Sequence, residues 1–392
     1  MLRGIIRSFV VQKEVKRFIR KRRMVANEQK HVTYSKKVEN ASRYVDLRSD
    51  TGTKPSKLMK EAMVTAELGD DVYGEDPTTN SLQERCAKLF GKEAGLFCVS
   101  GTMGNLLAIM AHCQRGDELI TGRYHHVHRW EQGNYAQIAG VSATTLEVKE
   151  DGTLDLYEVE ESIRVLDKHM PTTKLICIEN TQNFLGGKAL SLEYLRDLKQ
   201  MAERRGVKVH MDGARIYNAA VQLGCSIADI AQYADSVQMC FSKGLGAPIG
   251  SILVGSKDVI EQALWRRKAI GGGWRQSGVL AAAAHVALDH AVETITADHR
   301  RAKELAEFIQ DVTPESLKKK LFVKTEGITN MVVLNCEEDV TPSKVVEVFK
   351  ENGVLVMGFD AHRVRLVFNW NVDDAKLEVT KEAFRKVLES IE

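Results

Sequence analysis

The stretch Asp235-Ser-Val-Gln-Met-Cys-Phe-Ser-Lys243-Gly-Leu-Gly-Ala-Pro-Ile-Gly250 decides the reading of this chain. Val237 to Phe241 is a short apolar run of the kind that forms a buried strand, and Gly250 to Gly255 is a second. Between them stand Ser242, Lys243 and a glycine-rich turn. A lysine at the end of a buried strand loses hydration, which lowers its pKa and favours the neutral, nucleophilic amine that a Schiff base requires. The same residues also describe a surface lysine in a polar loop, so the neighbouring sequence has to decide.

Outward from Lys243, apolar strand-like runs alternate with amphipathic helices. Val207 to Met211 is a strand closed by Asp212-Gly-Ala-Arg215, and Lys174 to Glu179 is another, closed by Glu179-Asn-Thr-Gln-Asn183. Further upstream, Val141 to Val148, Glu118 to Ile120 and Gly95 to Val99 read as strands, with helices over Ser81 to Leu89 and Leu192 to Arg204. Ser100-Gly-Thr-Met-Gly-Asn105 reads as a turn leading into an apolar helix from Leu106 to His112. This alternation predicts an α/β fold, a mostly parallel sheet with helices on both faces. In such sheets ligands gather beyond the carboxyl ends of the strands, where the 100–105 turn, Glu179, Asp212 and Lys243 all fall. Past residue 297 the pattern changes to helix, strand, strand, helix, strand, strand, helix, which predicts a smaller C-terminal α+β domain. The expected organisation is a basic extension over 1–43, a large domain over 44–296 and a small one over 297–392.

Bulk properties exclude several classes. The net charge of +2 gives no reason to propose a nucleic-acid partner, and no apolar run reaches the roughly 20 residues that span a bilayer. The seven cysteines are scattered, without a Cys-x-x-Cys pair, and read as reduced core thiols of an intracellular protein. The first 24 residues carry Arg3, Arg7, Arg17, Arg20 and further basic residues against one acid, Glu14, with an apolar stripe at helical spacing. That composition suits an organelle transit peptide, a disordered basic arm, or sequence bypassed by a start at Met24. The expected location is cytoplasmic or mitochondrial.

Two clusters invite a metal reading and are discounted. The acids of Gly69-Asp-Asp-Val-Tyr-Gly-Glu-Asp-Pro77 lack the spacing of a calcium loop and read as turn or cap residues. The histidines of Tyr124-His-His-Val-His128 lack the further ligands that a closed zinc site needs, so no metal is expected there. One histidine suffices, however, to stack on a flat ligand or to move a proton.

Asp212 and Lys243 belong together chemically. An amine for a Schiff base with a pyridine aldehyde, and a carboxylate that keeps the pyridine nitrogen protonated, are the two groups pyridoxal chemistry asks of a protein. Gly101 and Thr102, in the turn that precedes the helix from Leu106 to His112, can hold a phosphate on backbone N–H groups. Arg215 offers a bidentate fork for a substrate carboxylate.

The chain resembles the low-specificity L-threonine aldolases, fold type I pyridoxal phosphate enzymes, over about residues 44 to 390. The resemblance rests on Asp46-Leu-Arg-Ser-Asp-Thr51, Gly69 to Pro77, Ser100-Gly-Thr102, Glu179-Asn-Thr181, His210-Met-Asp-Gly-Ala-Arg215, Ser242-Lys-Gly-Leu-Gly246 and Gly271-Gly-Gly-Trp-Arg-Gln-Ser-Gly278, in that order. It implies cleavage of L-threonine or L-allo-threonine to glycine and acetaldehyde with pyridoxal 5'-phosphate. It further implies Lys243 as the cofactor-bearing lysine, Asp212 as partner of the pyridine nitrogen, Gly101 and Thr102 as phosphate contacts, and Arg275 as a phosphate contact toward a neighbouring subunit. Ser49, Arg215 and Arg365 resemble the groups that grip the substrate carboxylate. His126 resembles the histidine stacked on the cofactor, and His169 a second one near the substrate hydroxyl; Tyr73 and Lys268 are further site residues. A homo-oligomer, dimer or tetramer, acting on a small amino acid is the implied assembly. One departure stands out: the family commonly reads Glu-Asn-Thr-His-Asn where this chain has Glu179-Asn-Thr-Gln-Asn183, and Phe184-Leu185 looks inserted before Gly186. The same Lys243–Asp212 pair would also serve another fold type I lyase, a hydroxymethyltransferase, or a cofactor-binding protein without turnover.

Overall fold

The computed structural model describes residues 38–391; the basic 1–43 extension expected from the sequence lies mostly outside them. Seven strands form the central sheet: β1 (Ala94–Cys98), β2 (Glu118–Gly122), β3 (Ser142–Leu146), β4 (Thr173–Glu179), β5 (Lys208–Asp212), β6 (Ser236–Cys240) and β7 (Ser251–Gly255). Their spatial order is β1-β7-β6-β5-β4-β2-β3. β3, β2, β4, β5 and β6 are paired in parallel, and β7 is antiparallel to both of its neighbours. β1 therefore points the same way as the parallel set, and six carboxyl ends share one edge. Register sharpens this, because Glu179 sits opposite Asp212 and Asp212 opposite Gln238.

The strands β4 to β7 are almost wholly buried, as expected for a sheet covered on both faces. Leu195, Leu198, Met201 and Ala202 of the helix Leu192–Arg205 pack on one side with Val209, Met211 and Ile252 of the sheet. On the other side, Leu106 and Ile109 of helix α1 (Gly101–His112) join Leu119, Leu175 and Cys177. α1 begins at Gly101, so the expected 100–105 turn is the helix's first turn. Ser100 caps it by accepting a hydrogen bond from the Met103 N–H at 3.2 Å. Glycine is required there: a Cβ on Gly101 would stand 2.7 Å from the Cys240 Sγ, and one on Gly104 equally close to Gln238 Cγ.

A second sheet carries β8 (Leu321–Val323), β9 (Met331–Cys336), β10 (Met357–Gly358) and β11 (Arg363–Val367), all antiparallel, in the order β10-β11-β9-β8. Its core includes Leu334, Leu366, Phe349, Phe384 and Val387. Val45 and Leu47 pack into the same core, and Val45–Asp46 pairs in parallel with Val354–Leu355. The start of the segment expected in the large domain thus lies with the C-terminal sheet. Helix α2 (Gly278–Asp289) gives way at His290 to helix α3 (Ala291–Val312), which runs through position 297. Among the described residues no helix is long and apolar enough to cross a membrane.

Candidate active site

Lys243 follows β6 by three residues, in a turn closed by the Gly246 N–H donating to the Lys243 carbonyl at 2.9 Å. Thr53 Oγ1 donates to the same carbonyl at 3.0 Å. Gly246 adopts φ +79, and a Cβ there would collide with the Trp370 indole, so a side chain at this position is excluded twice. Lys243 itself is half-buried, and its charge acts on Asp50, Asp212 and His126.

Asp212 closes β5 and is buried. It accepts from Asn105 Nδ2 at 2.9 Å and from the Ala214 N–H at 3.1 Å. Burial alone would raise its pKa, but His126, Lys243 and the Asn105 hydrogen bond outweigh burial and hold it below the usual carboxylate range. Asn105, on the second turn of α1, also donates from Nδ2 to Glu131 Oε1 at 2.9 Å. With both amide hydrogens committed to carboxylates, its Oδ1 must accept, and His210 Nε2 at 3.1 Å is the donor. Ser236 Oγ lies 2.9 Å from both His210 Nδ1 and His112 Nε2. The chain of assignments makes Ser236 a donor to His210 and an acceptor from His112. Burial pushes His210 down to about 3 and His112 to about 4, so both serve this network as neutral rings.

His126 is the histidine facing this group. Its Nδ1 lies 2.8 Å from Glu131 Oε1, and its backbone N–H donates to Glu179 Oε2. Glu131 is acceptor-only when ionised, so the Nδ1 proton points to it and the lone pair sits on Nε2. Burial works against the imidazolium, but the Glu131 hydrogen bond and the Asp212 charge raise the His126 pKa overall. Glu131 is itself raised, by burial first. Burial and then the Asp212 charge push Glu179 up to about 7. His125, by contrast, is fully buried; its Nδ1 lies near Thr121 Oγ1, the Gly122 N–H and the Cys177 carbonyl, and burial pushes it down to about 4. His128 meets Tyr135 OH at 3.1 Å. The ligand atoms of His126, Glu131 and Asp212 lie within 4.8 Å of one another; Asn105 and the imidazole already supply hydrogen bonds to both carboxylates.

Arg215 differs from expectation. Its fork is buried and grips Asp50, Nε to Oδ2 at 2.7 Å and Nη2 to Oδ1 at 2.6 Å. Asp50 would be raised by burial, yet Arg215, then Lys243 and Arg365, hold it below its ordinary value. Arg215 thus spends two of its donors on protein. Ser49 stands beside Asp50, its Oγ accepting from the Thr51 N–H at 3.2 Å. Arg365, on β11, donates from Nη1 to Asn183 Oδ1 at 3.0 Å and from Nη2 to the Arg48 carbonyl at 3.3 Å. The strand end that bears Glu179 and the segment that bears Ser49 therefore both reach Arg365. Gln182 is buried, with Nε2 donating to the Tyr124 carbonyl at 3.4 Å and Oε1 accepting from the Leu185 N–H at 2.7 Å. Its amide organises the loop.

Gly101 and Thr102 occupy the first turn of α1, where a helix leaves N–H groups without intrahelical partners. Within one chain, four expected residues make no hydrogen bond to this cluster. His169 is exposed on the loop between Ser162 and Thr173, its N–H donating to Asp167 Oδ1. Tyr73 is 76% exposed. Arg275 reaches Asp70 Oδ2 at 3.0 Å and lines a cavity of about 320 Å³ with Val99, Met103 and Trp274; Lys268 is exposed nearby in sequence. The acids before Pro77 have structural partners: Asp71 pairs with buried Arg267 at 2.6 Å, and Asp76 caps the helix Pro77–Phe90 through the Thr79 N–H. Asp50, Asn105 and Glu131 are the residues that sequence reasoning left without a role. A polar Asn in the apolar run 101–112 was the one available signal.

An amine, a buried ionised carboxylate and a helix N-terminus gather at the carboxyl edge of the parallel sheet, and the model of the beta-eliminating lyase family matches residues 46–335. The chain belongs to that family. Its place within the family is with the low-specificity L-threonine aldolases. It is 44% identical over 352 residues to low-specificity L-threonine aldolase 1 of Arabidopsis thaliana, covering 88% of this chain and 97% of the relative. It is 41% identical over 344 residues to the low specificity L-threonine aldolase of Escherichia coli strain K12, covering 88% and 99%. The fold matches that of the Leishmania major threonine aldolase with TM-score 0.72 at 18% identity, over 88% of this chain and 99% of that one.

Proposed function

We infer that this chain is a carbon–carbon lyase that cleaves L-threonine and L-allo-threonine to glycine and acetaldehyde with pyridoxal 5'-phosphate. The observation that carries it is Asp212, a buried carboxylate kept ionised beside Lys243 at neighbouring strand ends. The donor set fits the cofactor: Lys243 offers the amine, Asp212 the anion for a pyridinium, and the first turn of α1 the N–H groups and positive end of a dipole for a phosphate. When bound, pyridoxal phosphate supplies the sink for the electron pair released as Cα–Cβ breaks.

The chain's own residues do the rest. Arg365 and Ser49 hold the substrate carboxylate, and Arg215, fixed by Asp50, adds the charge of its remaining face. Fixing that carboxylate fixes the torsion about Cα, and with it which bond is broken. His126 Nε2 carries the lone pair that takes the β-hydroxyl proton, and Glu131 stabilises the imidazolium that results. His169, exposed on its loop, is the second histidine of this proposal, placed at a site shared with a second subunit. A homo-oligomer in which Arg275 and Tyr73, both exposed, complete a neighbour's site belongs to the same proposal. So does an intracellular setting, cytoplasmic or mitochondrial, supported by cysteines that are all free thiols among the described residues.

The test uses purified holoenzyme and Lys243→Ala with both threonine epimers. Acetaldehyde from the wild type and none from the variant is the expected result. Ammonia and a keto acid in place of acetaldehyde would identify another lyase of the family instead.

A further inference from the structure

The residues Phe184 and Leu185 look inserted relative to the family pattern, and the structure shows what the longer loop does. It crosses from the end of β4 to the face of the antiparallel sheet. There the Phe184 ring stacks on Tyr124 with centroids 4.4 Å apart and planes 4° from parallel. It also meets Phe359 at 5.0 Å. The Arg363 guanidinium lies 4.6 Å from the Phe184 centroid and the Arg129 guanidinium 5.0 Å from it. Arg363 Nη1 donates to the Phe184 carbonyl at 3.1 Å. Phe184 is 8% exposed, so the ring is enclosed by protein and offers no surface to a ligand.

The stack ends on the carboxylate clamp. Phe359, packed against Phe184, carries the Arg365 guanidinium 4.7 Å from its centroid, while Asn183, next to Phe184 in sequence, accepts from Arg365 Nη1 at 3.0 Å. Arg365 is thus held on one side by a ring that Phe184 supports and on another by the residue before Phe184. The loop is also anchored independently. Gln182 binds it to the Tyr124 carbonyl, and Thr329 Oγ1 donates to the Gly187 carbonyl at 2.9 Å. A Cβ on Gly186 would press to 2.9 Å from Val333, so the loop lies directly on β9.

We propose that Phe184 is a positioning residue for the substrate carboxylate: its stack between the Tyr124 segment and Phe359 sets Arg365 in the geometry that receives that carboxylate before substrate arrives. The idea rests on the reading of Arg365 as a carboxylate-gripping group. A preformed clamp lowers the ordering cost of binding, so losing the stack acts on substrate affinity before it acts on chemistry. Aromatic pairs and cation–π contacts of this kind are each worth enough that removing the ring should weaken carboxylate binding by about tenfold.

The experiment compares wild type, Phe184→Ala, Phe184→Leu, Phe184→Tyr, Arg365→Ala and the Phe184→Ala/Arg365→Ala double variant, each as full-length holoenzyme. It reads KM and kcat for L-threonine and L-allo-threonine. It also reads the dissociation constant of glycine, which has the carboxylate and no side chain, by calorimetry. Phe184→Ala and Phe184→Leu should raise KM for both epimers and the glycine constant by about tenfold, with kcat within about threefold. Phe184→Tyr should restore both, and the Phe184→Ala penalty should vanish in the Arg365→Ala background. The leucine variant fills the space without the ring, so a fold lost in the alanine variant does not remove the test. Glycine affinity within about threefold of wild type in the leucine variant, or an undiminished penalty in the Arg365→Ala background, overturns the proposal. Wild-type enzyme that releases no acetaldehyde overturns the aldolase reading instead.

Discussion

Replacing Asn105 by alanine tests the central network without touching a group that meets substrate. Asn105 Nδ2 donates to Asp212 Oδ2 and to Glu131 Oε1, both at 2.9 Å. All three residues are buried, so water cannot substitute freely for the lost amide. A hydrogen bond to a charged group is worth about 1.5–3 kcal/mol, and the truncated side chain removes one from each carboxylate. Asp212 then loses one of the influences that keep it ionised against burial, and the protonated carboxyl no longer favours a pyridinium. If the energy of one such bond is felt in the transition state, kcat/KM for threonine should fall by about ten- to a hundredfold. Asn105→Asp should do worse, since it places a third carboxylate between two others; at a separation of about 4 Å and an effective dielectric of 20, each like-charge pair opposes ionisation by about 4 kcal/mol.

The two variants differ in pH response. The aspartate variant can recover a donor only by taking up a proton, so its deficit should shrink as pH falls from 8 to 6, whereas the alanine variant's should not. The assay is acetaldehyde release across that range, with cofactor affinity measured by equilibrium titration on the same samples. An alanine variant within about threefold of wild type in kcat/KM, with cofactor affinity unchanged, would refute the claim that Asn105 holds Asp212 ionised.

Asp50→Asn leaves the buried Arg215 guanidinium without its counter-charge and should destabilise the fold by about 3–5 kcal/mol, read by urea denaturation; Asp50→Asn combined with Arg215→Met should recover much of that loss. Asp298 is buried on α3 and raised to about 8, by burial first, with Arg301 opposing and Asp50 reinforcing. A carboxyl raised on folding binds more protons in the native state, so its contribution to stability is full below about 4 and is lost as pH rises through about 8. Asp298→Asn should flatten that decline, and denaturation midpoints falling equally for both proteins between those pH values would contradict it. Gly101→Ala should cut cofactor affinity by more than tenfold, about 1.4 kcal/mol, because the new methyl must displace Cys240 or shift the first turn of α1; unchanged titration would show the turn is not the cradle.

Much of the architecture was legible because its signals are local. Strands β4, β5 and β6 are apolar runs closed by a chemistry-bearing residue, and period alone locates them within one or two positions. The errors have physical causes. Gly101 and Gly104 lower local helix propensity, which makes the first turn of α1 read as loop. They are there because Cys240 and Gln238 pass too close for a side chain, a fact no local window contains. The run Val354 to Met357 reads as one strand, but Val354–Leu355 pairs with Val45–Asp46 and Met357–Gly358 with β11. The site divides in the same way. Asp212 and Lys243 stand out because one ends a strand and the other follows a strand end by three residues. Asn105 and Asp50 do not, because their meaning lies in partners 107 and 165 residues distant. Arg215 shows the converse, a residue type suited to a carboxylate ligand whose fork is already taken by a carboxylate of the chain.

That internal pairing bears on how the pocket accepts an anion. Lys243, Arg215 and Arg365 bring positive charge to the strand ends, and Asp50, Asp212, Glu131 and Glu179 face them. Were all four acids ionised, an incoming substrate carboxylate would meet a net negative wall. Two of them are not fixed in that state. Glu131 is raised by burial while it shares a proton-bearing contact with His126, and Glu179 is pushed to about 7 by burial and by Asp212. Asp50 and Asp212, held low, are the two whose charge has a use: one aligns Arg215, and the other is proposed above as the partner of a pyridine nitrogen. Glu179 is therefore the group able to take up a proton when a second anion enters, and it contacts both His126 and the Asn183 N–H. Substrate or glycine binding at pH 7.5 should then be accompanied by net proton uptake, measurable as a dependence of the calorimetric enthalpy on buffer ionisation enthalpy. Glu179→Gln, neutral at every pH, should bind glycine with that dependence abolished. A variant that retains it would place the proton elsewhere, on the His126–Glu131 pair.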